Sequence, residues 1–122
     1  MAISYFVDEE RSMVIGLGSG HLEFSEWKSE EERLRCNPKF SSNLNQLLDV
    51  REVTSLDLSS DEARMLAGIN PFSASSRRAF VANKVQIYGK GQILQACIES
   101  AENPSCVSVF YDVGPALDWL GV

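Results

Sequence analysis

Between Leu47 and Ala67 the chain reads LLDVREVTSLDLSSDEARMLA, an apolar strand that passes through a turn into an acidic helix. Leu44, Leu47, Leu48 and Val50 form a near-continuous apolar run, the pattern of a strand covered on both faces inside a parallel sheet. Ser59-Ser60-Asp61-Glu62 has the Ser-x-x-Glu spacing of a capping box, so a helix is predicted from Ser59 to about Ala67. Ala63, Leu66 and Ala67 form its inner face, and Gly68 with Asn70-Pro71 stops it.

The same reading extends to both ends. Ile3, Tyr5 and Val7 alternate with polar neighbours, Asp8 to Ser12 turn, and Met13, Ile15 and Leu17 alternate again, which predicts a hairpin. Gly16, Gly18 and Gly20 lie within its second strand, so close backbone packing or a bulge explains them better than a phosphate cradle does. A helix to about Arg35 follows, started by Ser25 or Ser29; Glu30-Glu31-Glu32 is expected on its solvated face, and Asn37-Pro38 ends it. After the loop Asn70 to Ser76, Ala79 to Ala82 reads as a buried strand. The longest helix runs from Val85 to about Ala101, with Ile87, Gly91, Leu94, Ile98 and Ala101 as its buried stripe. Val107, Val109 and Tyr111 mark a last strand, and Pro115 opens a terminal helix packing through Ala116, Leu117, Trp119 and Leu120.

The order β-β-α-β-α-β-α-β-α gives the α/β class: an N-terminal β-hairpin followed by β-α crossovers, forming a mostly parallel sheet covered by helices. A chain of 122 residues is one domain, 1–122, with a core predicted to include Ile15, Leu47, Leu48, Val50, Phe80, Val81, Leu94, Ile98, Val107, Val109 and Leu120. The net charge of −6 repels polyanions, so nucleic acid is not an expected partner. The start of the chain has neither a basic region nor an apolar run of membrane length, so no membrane insertion is expected. The three cysteines, Cys36, Cys97 and Cys106, are widely spaced and read as buried thiols of a reducing cytoplasm.

The segment Asp49-Val50-Arg51-Glu52-Val53-Thr54-Ser55-Leu56-Asp57-Leu58-Ser59-Ser60 resembles the signature of STAS domains, the SpoIIAA-like fold of anti-sigma-factor antagonists. In that family strand, Asp-Ser-Ser and helix follow in this order; here Leu58 stands for the first serine of that motif and Ser60 for the glycine after it. The predicted element order agrees with the family over nearly the whole chain. The resemblance implies a non-enzymatic, regulatory protein-interaction module of the bacterial cytoplasm, with a protein partner and Ser59 as a phosphorylatable residue beside Asp57. A homodimer is also expected, because small domains of this kind pair through exposed apolar surface. The alternative is a small-ligand or lipid-binding domain of the Sec14-like type, with a cavity beneath the long helix.

Each candidate residue also has a plainer reading. Ser59 serves equally as a helix cap, and Asp57 as a turn carboxylate bonding nearby amides. Arg77, Arg78 and Lys84, with Lys90, are anion-binding candidates near strand and helix ends, or simply a solvated face. His21 is the only histidine, so a two-histidine metal site cannot form in one chain. No enzymatic activity, no cofactor and no metal are therefore expected.

Overall fold

Met13 to Glu23 and Asn45 to Asp57 are the two long strands around which the computed structural model is organised; it describes residues 2–122. The elements are β1 (Ile3–Asp8), β2 (Met13–Glu23), α1 (Phe24–Arg35), β3 (Asn45–Asp57), α2 (Ser60–Gly68), β4 (Arg77–Val81), α3 (Val85–Glu99), β5 (Cys106–Phe110) and α4 (Val113–Leu120). The five strands lie in sequence order, β1-β2-β3-β4-β5. β1 and β2 form the predicted antiparallel hairpin, and every later pairing is parallel. Crossovers of one hand that always step in the same direction place their helices on one face. Accordingly α1, α2 and α3 share one core with the inner residues of the sheet, while α4 alone packs on the opposite face.

The register assigns the faces. Tyr5, Gly16, Leu48, Phe80 and Val109 are neighbours across the strands and meet the three crossover helices. Met13, Leu47, Ala79 and Val81 point the other way, toward Ala116 and Leu120 of α4. Of the predicted core, only Ile15 is not fully buried; it lies at the rim of the α4 cluster. Helices cover the second face only in part. Phe6 and Leu17, on the hairpin beyond the reach of α4, are 48% and 50% exposed.

Two of the hairpin glycines have different causes. A Cβ on Gly16 would lie 2.6 Å from Leu48 Cδ1 and 2.8 Å from the Tyr5 ring, so the tyrosine closes over bare backbone. Gly20 instead adopts φ +66° where the β2–β3 register shifts, a left-handed conformation that a bulge needs and glycine supplies without strain.

β3 is longer than the apolar run predicts. It continues through Arg51 to Asp57, whereas β4 pairs with it only as far as Asp49. The second halves of β2 and β3 therefore extend past the sheet as a two-stranded parallel ribbon. Val53, Leu22 and Leu58 are buried beneath this ribbon, and its outer face carries His21, Glu23, Ser55 and Asp57.

Three sequence expectations are corrected. Glu30 and Glu31 are not solvated: they are 1% and 3% exposed. α1 begins at Phe24 without a side-chain cap, upstream of the serines expected to start it. Cys36 and Cys106 are exposed and Cys97 is half-buried, so the cysteines are free thiols but not buried ones.

Candidate functional site

The head of α2 forms as the sequence predicts. The Glu62 amide donates to Ser59 Oγ at 3.1 Å, and the Ser59 amide donates to Glu62 Oε1 at 2.9 Å, which completes a capping box. Leu58, where the family motif has a serine, is buried in the core and anchors the turn. Ser59 and Ser60 stand at one end of a shallow groove of about 230 Å³ between α2 and α3, lined also by Leu58, Ala63, Lys90 and Ile93. Ile93 is 49% exposed in that groove.

The basic residues do not gather into one anion site. Arg77 is exposed and donates to the Trp119 carbonyl at 2.8 Å, stacked over the indole ring. Lys84 Nζ donates to the Arg51 carbonyl at 2.6 Å, and Lys90 Nζ to the Leu58 carbonyl at 3.1 Å, so one lysine serves the β3 backbone and the other the turn that follows it. Arg78 is a correction to the anion-binding expectation: at 2% exposure it is among the largest fully buried side chains. Its inward direction follows from the register, because Arg78 sits beside Gln46 and Val107 on the face that α1 to α3 cover.

Around Arg78 the protein builds a buried polar network. Arg78 Nε donates to Gln46 Oε1 at 2.8 Å, Nη1 to Asn70 Oδ1 at 2.8 Å, and Nη2 to Glu31 Oε1 at 3.3 Å. The guanidinium lies over the rings of Phe72 and Phe80, with its carbon 4.5 and 5.4 Å from their centroids. Trp27 Nε1 donates to Tyr5 Oη at 2.8 Å, and Tyr5 Oη donates to Glu31 Oε1 at 3.3 Å. Burial pushes the Glu31 carboxyl above its ordinary range, although Arg78 pulls the other way. Burial, and then the Glu31 charge, hold the Tyr5 hydroxyl well above its ordinary value, so it remains a donor. Glu30 extends the system to the sheet edge, where its Oε2 accepts from the Tyr5 backbone amide at 3.0 Å. Nothing in this network reaches solvent as a reactive group; it fastens α1 to β1, β3 and β4.

Asp57 lies exposed, opposite Glu23 in the parallel register, within a cluster with His21 that reading along the chain does not bring out. The signal was present only as a spacing: His21 and Glu23 are two residues apart and so share one face of a strand. On the other side of the motif segment Asp49 and Arg51 form a bidentate pair, at 3.0 and 2.7 Å. Burial raises the Asp49 carboxyl, but the hydrogen bonds from Arg51 more than offset it and the net shift is downward.

The apolar void beneath α3, bounded by Leu22, Trp27, Leu48, Phe80, Ile87 and Val109, holds only about 20 Å³. That is room for about one water molecule. A Cβ on Gly91 would meet Val109 Cγ1 at 3.4 Å, whereas Gly89 faces open space.

A hairpin leading into a parallel sheet, with three crossover helices on one face and a terminal helix on the other, defines an α/β domain of SpoIIAA-like fold. The chain matches the crystal structure of an uncharacterised DUF3478-family protein with a SpoIIAA-like fold from Shewanella loihica PV-4, with a TM-score of 0.64 over 98% of this chain and 94% of that one. The two sequences are 17% identical, so the likeness is one of fold. No protein-family model matches the chain, and no curated protein matches it by sequence. Among the described residues no helix is long and apolar enough to cross a membrane.

Proposed function

We propose that this domain is a non-enzymatic protein-interaction module whose partner surface is the head of α2 and the groove it forms with α3. The carrying observation is the groove itself: Ser59 at one end and the half-exposed Ile93 within it, set on a core too full to hold a ligand. A small-ligand or lipid carrier needs an enclosed cavity of about 300 Å³ or more, which the void beneath α3 does not approach, and the larger clefts, of about 590 and 610 Å³, lie open at the surface. The non-enzymatic reading rests on the resemblance of the segment Asp49 to Ser60 to the antagonist signature.

Regulation by phosphate at Ser59 is part of the proposal. A phosphate there meets the positive end of α2 and the Lys90 ammonium, against repulsion from Asp61 and Glu62. Capture from host lysate is expected to survive Ser59→Ala and Phe6→Asp, and to fail with Ser59→Asp and Ile93→Asp. Equal capture by all four variants removes the α2–α3 surface from the proposal. Pairing of two copies is proposed for the opposite face, where Phe6 and Leu17 are bare. A monomer mass by light scattering at high concentration removes that part.

A further inference from the structure

We infer that His21, Glu23 and Asp57 form a binding site for a divalent transition-metal ion of the zinc class on the outer face of the β2–β3 ribbon. The inference is independent of the partner-surface reading and contradicts the sequence expectation of no metal. That expectation rested on counting histidines, whereas one imidazole and two carboxylates suffice when a fold brings them together.

The ribbon brings them together by register. His21 and Glu23 alternate onto the same face of β2, and the parallel pairing places Ser55 beside His21 and Asp57 beside Glu23. One potential ligand atom from each of the three residues lies within 4.8 Å of the others. The separation of His21 Nε2 from Glu23 Oε1 is 3.4 Å. Zinc bonds to nitrogen and oxygen of about 2.0 to 2.1 Å arranged tetrahedrally give ligand-to-ligand edges of about 3.4 Å. One edge of the coordination polyhedron is thus already set. Asp57 is exposed, and one of its carboxylate oxygens lies within 4.8 Å of a ligand atom of each of the other two residues.

The imidazole is oriented for this task. Its Nδ1 is hydrogen-bonded to Ser55 Oγ at 2.6 Å, which leaves Nε2 free to face the Glu23 carboxylate. Metal-bound histidines are commonly held in this manner through the ring nitrogen that does not bind the metal. The donor set of one imidazole and two carboxylates selects a borderline ion over magnesium or calcium, which prefer oxygen alone. Three protein ligands leave a further position open to water or to a group from a partner.

The test is a titration of the whole chain with Zn²⁺, in a Cys36→Ser, Cys106→Ser background so that the exposed thiols do not compete. A single histidine gives a single set of imidazole ¹⁵N signals. Nε2 is expected to move to a metal-bound position and to saturate at one equivalent, with no response to Mg²⁺. By calorimetry Ser55→Ala is expected to weaken binding about 10-fold, the lower end for a residue that orients a ligand. Asp57→Asn and Glu23→Gln should weaken it at least as much, and His21→Gln should abolish it. All of these side chains are exposed, so the variants are expected to keep the wild-type far-ultraviolet circular dichroism. Imidazole signals unmoved by excess Zn²⁺, or undiminished affinity in Asp57→Asn or Glu23→Gln, would reduce the cluster to a hydrogen-bonded surface and overturn the site. Neither outcome depends on Ser59 or its partner, so failure here is separate from failure of the interaction reading.

Discussion

Two adjacent rungs of the same sheet are held in opposite ways. The rung of Gly16, Leu48, Phe80 and Val109 is apolar and packs against α3, whereas the next rung, Val14, Gln46, Arg78 and Val107, centres on a buried guanidinium tied to Glu31 and Asn70. The apolar rung tolerates imperfect complements, because each contact is small and non-directional. The charged rung does not: removal of either Glu31 or Arg78 strands the other's charge away from water. It also fastens α1 to the sheet at fixed positions, which dispersion alone would specify less sharply.

The comparison is most strongly tested by breaking the ion pair. Glu31→Ala or Arg78→Ala is expected to cost about 3 to 5 kcal/mol by denaturant unfolding, because each leaves the other charge buried and unpaired. The double variant Glu31→Ala/Arg78→Ala should lose less than the sum of the single losses, by about 0.5 to 3 kcal/mol. The wild-type network is itself incomplete, since Glu31 Oε2 and Gln46 Nε2 are buried without a hydrogen-bond partner. Strict additivity would show that the two charges act separately. On the apolar rung Gly16→Ala should cost about 1 to 3 kcal/mol by overpacking against Leu48 and Tyr5.

A smaller effect is expected at Ser59, whose replacement by alanine should cost about 0.5 to 2 kcal/mol, while Ser59→Asp should be nearly neutral because aspartate also caps. The smallest is a pH dependence. Because the folded-state pKa of Glu31 is raised, its contribution is fully present below the ordinary glutamate value of 4.5 and is lost as pH rises through the folded value. Measured against Glu31→Gln, the wild type should therefore gain relative stability as pH falls toward 4.5. A relative loss on acidification would mean that Arg78 outweighs burial. Asp49 runs the other way: its stabilisation by Arg51 is present above the ordinary aspartate value of 3.8 and lost as pH falls through its depressed value.

The fold was largely legible in the sequence because its signals are local. Alternation around Asp8 to Ser12 gave the hairpin, the apolar run at Leu47 gave the central strand, and Ser59-Ser60-Asp61-Glu62 gave the start of α2. What was missed depends on partners distant in the chain. Glu31 reads as a surface residue because Arg78, which makes its burial tolerable, is 47 residues away. Arg78 reads as a surface cation for the same reason. The far half of β3 was hidden by Arg51, Glu52 and Thr54, which suggest a loop until β2 is known to run alongside them. The cluster of His21, Glu23 and Asp57 lies across two strands, and the His21–Glu23 spacing within β2 discloses only part of it.

Where β3 outruns β4, its far side lacks the strand that would otherwise pair with it, and such an exposed edge is a template for strand addition by another chain. Lys84 and Lys90 reach across from α3 to the carbonyls of Arg51 and Leu58, which bracket this stretch. Positive charge laid along the edge makes it a poor dock for an incoming strand. An incoming strand would have to displace these two lysines from the carbonyls they occupy.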